Sequence, residues 1–269
     1  MSATIYMHEF RTRLRSVVIW SLSMAAVVIF FFSLFPAFAD DAALLNQMMA
    51  RFPATLREAF GIGNVDMSSV VGFFSFLFVF VQLCLAIQAA NYGVGLVSIE
   101  EAELTADFLL SKPVSRSQVF ISKLLAAFTS LTITNLVVWA SSFIAVMLFG
   151  SGRTYEPSRL LLLLASIVIF QLFFMSLGLI ISLLVKRVRS VTPYALGLGF
   201  GMYVLSAFSG VFKDVKLEYI TAFKHLDPAY MVEHGAFNAP LLLLNVAITV
   251  VSLAASYWLY LRRDIPAVS

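Results

Sequence analysis

Charged residues are scarce in this chain: they make up 12% of its 269 residues, whereas 61% are hydrophobic. Six long runs contain no Asp, Glu, Lys, Arg or His, and they are Ser16–Ala39, Val70–Asn91, Leu124–Gly150, Leu160–Val185, Tyr194–Phe212 and Leu241–Leu261. A soluble domain is about half apolar, and about 20 apolar residues let a helix cross a membrane. Barrel strands would be shorter and would alternate in polarity. We therefore expect an all-α polytopic membrane protein with six transmembrane helices.

Further absences narrow the function. The single cysteine, Cys84, can form neither an internal disulfide nor a thiolate metal site. No Gly-x-x-x-x-Gly-Lys-Ser/Thr motif occurs, and GSGRT at Gly150–Thr154 lacks both the lysine and the spacing of a phosphate-binding loop. The net charge of only +3 does not favour a nucleic-acid partner. We therefore expect no catalytic residue, no cofactor and no metal site.

An intramembrane enzyme is also disfavoured. The pair Glu100-Glu101 resembles the paired glutamates of CAAX-type proteases, but Thr105 stands where those proteases have arginine. All three histidines lie outside the apolar runs, whereas such proteases place histidines within the membrane. We predict that the chain itself is not an enzyme.

The segment before the last apolar run carries His225, Asp227, Glu233 and His234. Their spacing matches no known set of metal ligands. We therefore expect a solvated loop here, on the outer side of the membrane.

Basic residues set the expected orientation. Six spans place both termini on one side, and that side holds eleven of the 18 Lys and Arg residues, against seven on the other. They are most concentrated beside apolar runs, at Lys186–Arg189 and Arg262-Arg263. We expect a multi-pass protein of the cell (plasma) membrane, in contact with membrane lipid and with both termini in the cytoplasm.

The chain is predicted to contain two parts. Residues 1–15 have Ile5, Phe10 and Leu14 near helical spacing together with three arginines, which favours an interfacial amphipathic helix. Residues 16–269 would form a single transmembrane domain. The first apolar run ends in Ala37-Phe38-Ala39, which resembles a signal-peptidase site. Because the run is longer than a signal core, we expect a retained helix.

The loop between the second and third runs reads SIEEAELTADFLLSKPVSRSQVFISK and carries signals of a defined structure. Ser98 with Glu101 and Ser115 with Gln118 both fit capping boxes. Pro113 stops the helix between them, because proline disfavours a helical residue before it. A flexible connector would be rich in Gly and Ser. We therefore expect a short helix, an elbow and a capped restart into the third span.

This loop resembles the cytoplasmic segment of the type-2 permeases of ABC transporters, which are membrane subunits of ATP-driven exporters. That family has a Glu, then Gly-Thr, Leu-Leu-Ser, Pro-x-Ser/Thr-Arg and a Lys before the third span. The matching residues here are Glu100 or Glu101, Thr105, Leu109, Leu110, Ser111, Pro113, Ser115, Arg116 and Lys123. Leu104 departs from the pattern, since it stands where the family has Gly.

The resemblance implies that residues 98–123 form a coupling segment, a coupling helix with its elbow, that docks on a separate soluble ABC ATPase subunit. Two ATPases and a second permease, identical or related, would complete a unit in which ATP-driven closure pushes the elbow. Glu100, Glu103 and Asp107 share one predicted helix face and are candidate docking charges, although a charged stripe can also be only a solvated face. The residues implied in ATPase coupling are Glu100, Glu101, Glu103, Thr105, Asp107, Leu109, Leu110, Ser111, Pro113, Ser115, Arg116 and Lys123.

A few polar and small residues stand out within the spans. Gln88 and Asn91 share one face of the second run, and the resemblance implies that this run flanks the central pathway. They are candidate pathway residues, with interhelical hydrogen bonding as the alternative. Gly197 and Gly201 form a Gly-x-x-x-Gly that permits close helix packing within the chain or across a dimer. Two other functions stay open, a secondary transporter and a structural membrane subunit that is not driven by ATP.

Overall fold

The computed structural model describes residues 2–41, 47, 51–53, 66–102, 114–185, 188–209 and 216–262. The helices are α1 Ala3–Phe32, α2 Phe35–Asp40, α3 Val70–Ala102, α4 Arg116–Phe149, α5 Pro157–Leu184, α6 Thr192–Phe208, α7 Ala222–His225, α8 Pro228–His234 and α9 Ala239–Arg262. A short 3-10 helix at Leu217–Tyr219 precedes α7. No strand occurs within these ranges. The predicted all-α fold class is therefore confirmed.

Five helical stretches among the described residues are long and apolar enough to cross a membrane, and they are Ala3–Asp40, Val70–Ser98, Arg116–Phe149, Pro157–Leu184 and Ala239–Arg262. They cover every predicted span except the fifth. That span corresponds to α6, which has 17 residues. At about 1.5 Å per residue, α6 is about 25 Å long, near the lower limit for a membrane helix. The polytopic membrane architecture is confirmed, and the sixth crossing stays a prediction.

The predicted boundary at residue 15 does not break the first helix. Residues 3–32 form one uninterrupted helix, α1, so the segment predicted as an interfacial helix is continuous with the first span. No glycine or proline occurs in this stretch to interrupt the helix. Its first turns also pack on α4, since Tyr6 Oη donates to Thr129 Oγ1 at 3.1 Å. Packing against a neighbour therefore extends the helix beyond the apolar run.

Helix α3 extends beyond its predicted end, and this corrects one capping prediction. Ser98 lies inside α3, and its Oγ donates to the Val94 carbonyl oxygen at 2.6 Å. A hydroxyl that bonds the carbonyl four residues earlier does not cap a new helix. Leu96, Val97 and Ser98 are buried in the bundle, so their packing favours continued helix. The predicted capping box of Ser98 and Glu101 is therefore wrong.

Two glycines allow α3 and α5 to cross with their backbones almost in contact. A Cβ atom on Gly93 would stand 2.1 Å from the Met175 carbonyl oxygen, and one on Gly178 would stand 2.7 Å from the Ala90 carbonyl oxygen. The packing of α3 on α5 is the most extensive in the described structure. Because lipid tails are as apolar as leucine, close backbone approach is an important source of helix association in membranes.

The Gly-x-x-x-Gly of α6 does not form such a crossing within the chain. Apart from the backbone of α6 itself, no described atom lies within 4 Å of a Cβ placed on Gly197 or Gly201. Gly199 packs instead, since its Cβ would lie 2.8 Å from Cγ1 of Ile87 in α3. Contact across a dimer stays a prediction for this motif.

The beginning of α1, the beginning of α4 and the end of α9 lie together at one end of the bundle, which we call the termini end. The Ser2 backbone N–H donates to Ser122 Oγ at 2.9 Å, and Arg116 Nη1 donates to the Leu261 carbonyl oxygen at 3.3 Å. The last turns of α3 reach the same end, where Leu96 meets α4. Residues 103–113, which connect α3 to α4, therefore start and finish at the termini end.

The segment predicted as a solvated loop is partly folded into the opposite end of the bundle. Phe223 of α7 packs against Phe170 and Phe174 with ring centroids 5.0 and 5.8 Å apart. His225 is 1% exposed, and its Nδ1 lies 3.3 Å from Asn245 Nδ2 in α9. Burial lowers the pKa of His225, and a hydrogen bond with the Tyr219 backbone partly offsets this. The solvated-loop prediction is therefore wrong for α7.

Candidate functional site

The structure describes part of the predicted coupling segment. Ser115, Arg116 and Lys123 are described in full, whereas only the backbone of Glu100 and Glu101 is described, in the last turn of α3. The remaining predicted coupling residues lie outside the described residues, and they are Glu103, Thr105, Asp107, Leu109, Leu110, Ser111 and Pro113. The candidate site is therefore the set of helices that flank this segment.

The start of α4 is a capped helix end. Ser115 Oγ accepts from the Gln118 backbone N–H at 3.2 Å, and Gln118 Oε1 accepts from the Ser115 backbone N–H at 3.2 Å. This is the reciprocal pattern of a capping box, which satisfies two otherwise unpaired amides. The capping box predicted at Ser115 is confirmed. The restart of the chain into its third span is therefore locally fixed.

Lys123 is a buried cation two turns into α4. Its side chain is 3% exposed, and its Nζ lies 3.8 Å from Glu9 Oε1 in α1. The same Nζ donates to the Leu96 carbonyl oxygen of α3 at 3.1 Å. A buried ammonium group is tolerated only when charged and polar partners replace its water. Lys123 therefore joins α1 and α3 to α4 at the termini end.

Glu9 extends this contact along α1. Its Oε2 lies 3.5 Å from Nη2 of Arg13, one turn further along the helix. The Arg13 guanidinium lies over the ring of Tyr92 in α3, 5.4 Å from its centroid, and Tyr92 Oη donates to Ser16 Oγ at 3.2 Å. We call Glu9, Arg13, Tyr92 and Lys123 the charged clamp.

The first turns of α4 also contact the C-terminal helix α9. Ser117 Oγ and Tyr257 Oη are 2.9 Å apart. The Phe120 ring meets the rings of Tyr257 and Tyr260 with centroids 5.6 and 5.2 Å apart. Arg116 donates to the Leu261 carbonyl oxygen, where the negative end of the α9 dipole favours a cation. The helix that leaves the coupling segment is therefore held by both terminal helices of the chain.

Sequence reasoning missed the partners of Lys123 and Arg116. Glu9 is the one acidic residue among the first 39 residues, so it was the natural partner for a basic residue at the same end of the bundle. The carbonyl groups of Leu96 and Leu261 could not have been found, because every residue has a carbonyl and only the packing of the helices selects one.

The candidate pathway residue Gln88 lies in a buried hydrogen-bonded chain. Gln88 Nε2 donates to Thr134 Oγ1 in α4 at 3.0 Å, and Gln88 Oε1 accepts from Gln171 Nε2 in α5 at 3.3 Å. Gln88 is 0% exposed, so this arrangement fits the alternative of interhelical hydrogen bonding. Asn91, one turn further along, is partly exposed.

The described residues contain no group of three or more His, Cys, Asp or Glu side chains that could hold a metal ion. Asp227 instead caps α8, since its Oδ1 accepts from the Ala229 backbone N–H at 2.9 Å. His234 stacks on Tyr230 with ring centroids 4.0 Å apart. Asp227 and His234 therefore have local structural contacts.

One known protein family matches this chain. Residues 3–265 match the family model described as ABC-2 family transporter protein. The match covers nearly the whole chain, including all described helices. No curated protein matches the chain.

Proposed function

Because the chain belongs to the ABC-2 family of transporter proteins, we propose that it is the permease subunit of an ATP-driven exporter in the cell membrane. A separate soluble ABC ATPase, present in two copies, would supply the energy. A second permease, identical or related, would complete the working unit. Both termini and the coupling segment, residues 98–123, would face the cytoplasm, in line with the excess of basic residues on that side.

One observation carries this proposal: the two helices that flank residues 103–113 are joined to each other by Lys123 and Leu96. Leu96 is six residues before the end of α3, and Lys123 is seven residues after the start of α4. At about 1.5 Å per residue, each contact lies about 10 Å from the segment. A displacement of the segment would therefore act directly on this contact between α3 and α4.

The contacts around this junction support a mechanical role. The capped start of α4 resists fraying, and α1 and α9 both bond its first turns. A push on the segment would thus reach the two terminal helices as well as α3. A long flexible loop could not transmit such a displacement.

The two alternative functions have less support. A secondary transporter needs a coupling ion, and ion-coupled carriers usually have an ionisable residue near the membrane midplane. The six apolar runs contain none. A structural membrane subunit would have no need for a buried charged contact between α3 and α4 beside residues 103–113.

Purification of the tagged chain from its native membranes tests the proposal. We expect an ABC ATPase to co-purify and the reconstituted complex to hydrolyse ATP. Replacement of Glu100→Gln, Glu103→Gln and Asp107→Asn together should lower the yield of bound ATPase, because it removes the predicted docking charges. Asp41→Asn is the matched control, since Asp41 is an exposed acid at the opposite end of the bundle.

Two results would contradict the proposal. One is a complex whose ATPase content and hydrolysis are unchanged by the triple substitution. The other is transport by the chain alone, driven by an ion gradient, which would favour the secondary transporter.

A further inference from the structure

A buried chain of neutral, hydrogen-bonded side chains joins α3, α4 and α5. Asn135 Nδ2 in α4 donates to Gln171 Oε1 in α5 at 2.8 Å, and Gln171 Nε2 donates to Gln88 Oε1 in α3 at 3.3 Å. Gln88 Nε2 then donates to Thr134 Oγ1 at 3.0 Å, which returns the chain to α4. We call these four residues the polar chain.

The polar chain is buried and directional. Gln88 and Thr134 are 0% exposed, Gln171 is 1% exposed and Asn135 is 5% exposed. Gln88 and Gln171 each use an N–H as donor and the oxygen as acceptor, so the bonds run in one direction and can strengthen one another. Ser21 Oγ of α1 lies 3.4 Å from Thr134 Oγ1, which connects a fourth helix to the chain.

The polar chain lies between two pairs of closely packed helices. Helix α1 packs mainly on α4, and helix α3 packs mainly on α5. Contacts of α4 with α3 and α5 are much less extensive. We call the first pair the α1–α4 unit, the second the α3–α5 unit, and the boundary between them the seam. Two hydrogen bonds of the polar chain cross the seam: the one from Asn135 to Gln171 and the one from Gln88 to Thr134.

The coupling segment is attached to both sides of this seam. Residues 103–113 follow α3, which belongs to one unit, and precede α4, which belongs to the other. Gln88 lies 14 residues before the end of α3, or about 21 Å along the helix. The charged clamp lies between the segment and the polar chain, since Lys123 of α4 contacts Leu96 of α3.

The chemistry of the polar chain suits a boundary that moves. Amide groups carry both donors and acceptors, so a shifted register can offer them new partners. Asn135 Oδ1 is buried and has no hydrogen-bond partner among the described residues, so it is an acceptor available to a donor in another arrangement. Packed helices that slide past each other by small steps are a known form of conformational change.

We propose that the seam moves during the transport cycle: the two hydrogen bonds of the polar chain that cross it hold the α1–α4 and α3–α5 units in register at rest, and force on the coupling segment shifts one unit against the other. The inference rests on the proposed permease function. It goes beyond that function because it names which helices move together and which side chains oppose the movement.

Distance measurements between spin labels test the seam. In the full chain with Cys84→Ala, a pair across the seam is Leu125→Cys in α4 with Leu184→Cys in α5, and a pair within one unit is Leu14→Cys in α1 with Leu125→Cys. Leu125 is 38% exposed, Leu184 is 66% exposed and Leu14 is 39% exposed, so each position has room for a spin label. Labelled chain is diluted with unlabelled chain to remove distances between copies.

Thr134→Val is the perturbing variant, because it keeps the side-chain shape and removes the acceptor of Gln88. Thr132→Val is its matched control, since Thr132 is an exposed residue of the same helix. Its hydroxyl donates to the Phe128 carbonyl oxygen four residues earlier, as the Thr134 hydroxyl donates to the Ser130 carbonyl oxygen, but it accepts no hydrogen bond from another described helix. Without nucleotide, Thr134→Val should raise the minor population of the cross-seam pair by about threefold, the effect of one interhelical hydrogen bond in a membrane. Gln171→Met, which keeps the side-chain volume, should do the same.

ATP added to the complex with its ATPase should change the cross-seam distance and leave the pair within the α1–α4 unit unchanged. If both pairs change together, or if Thr134→Val and Gln171→Met behave like Thr132→Val, the seam is refuted while the permease function stands. If ATP changes neither pair and no ATPase binds, the permease function fails. The measurement without nucleotide then still decides whether the seam exists.

Discussion

A double-mutant cycle on Glu9 and Lys123 probes the charged clamp most directly. The variants are Glu9→Gln, Lys123→Met and the double substitution, each of which keeps most of the side-chain volume. Lys123 is 3% exposed and Glu9 is 15% exposed, so both charges are largely shielded from water. Charges in such surroundings interact more strongly than an exposed pair on the surface.

The contacts of each group set the expected magnitude. Lys123→Met removes the ion pair with Glu9 and a charge-assisted hydrogen bond to the Leu96 carbonyl, and such bonds contribute about 1.5–3 kcal/mol. Glu9 keeps Arg13 as a partner, and the desolvation of the ammonium group is relieved. We therefore expect a loss of about 2 kcal/mol for Lys123→Met and about 1 kcal/mol for Glu9→Gln, with a coupling energy of about 1 kcal/mol between them.

Thermal unfolding of the purified chain in detergent measures the cycle. A loss of about 2 kcal/mol corresponds to a fall in Tm of about 4–8 °C for a protein of this size. Arg15→Met is the control, since Arg15 is an exposed cation on the same helix as Glu9, and its Tm should stay within about 1 °C of the wild type, as expected for a surface substitution. If the chain couples to an ATPase as proposed, hydrolysis by the reconstituted complex should fall in the clamp variants, because a weaker contact between α3 and α4 transmits less displacement.

Strict additivity would refute this reasoning. If the double variant loses the sum of the two single losses to within about 0.3 kcal/mol, Glu9 and Lys123 do not interact in the folded state. An effect of Arg15→Met as large as that of Lys123→Met would show that total charge, and not the clamp, sets the stability.

Three further predictions concern single positions. Gly93→Ala should destabilise the bundle by about 2 kcal/mol or more in thermal unfolding, because the new Cβ would lie 2.1 Å from a backbone carbonyl oxygen. Gly197→Ala should be neutral or stabilising, since no described atom outside the backbone of its own helix lies within 4 Å of the new Cβ. Equal effects of the two variants would contradict the close crossing of α3 and α5. Ser115→Ala should cost about 1 kcal/mol through loss of the cap, and an unchanged Tm would show that the capping box does not hold the start of α4. Burial lowers the pKa of His225, so the neutral side chain stabilises the fold at a pH above the usual histidine pKa of about 6.5, and this contribution is lost as the pH falls. Tm should therefore drop between pH 7.5 and 5.5, and it should drop less in His225→Gln than in the wild type or in the control His234→Gln, whose histidine is exposed. The same dependence of Tm on pH in His225→Gln as in the wild type would contradict this prediction.

The sequence alone was sufficient for the features that depend on neighbouring residues. Long uncharged runs predicted the membrane helices, since hydropathy is a property of each segment by itself. The capping box of Ser115 and Gln118 was readable because both partners lie within one helical turn. The coupling segment carried the family resemblance, and the family match over residues 3–265 agrees with it.

Tertiary structure decided the features that depend on residues far apart in the chain. Ser98 had the local pattern of a cap, but burial of Leu96 and Val97 keeps that stretch helical. The ion pair of Glu9 with Lys123, the polar chain and the contact of His225 with Asn245 all join residues that are far apart in the chain. Local signals specify where a helix can begin and end, whereas the close packing of one helix on another selects which polar groups become partners, and that selection defines the clamp and the seam.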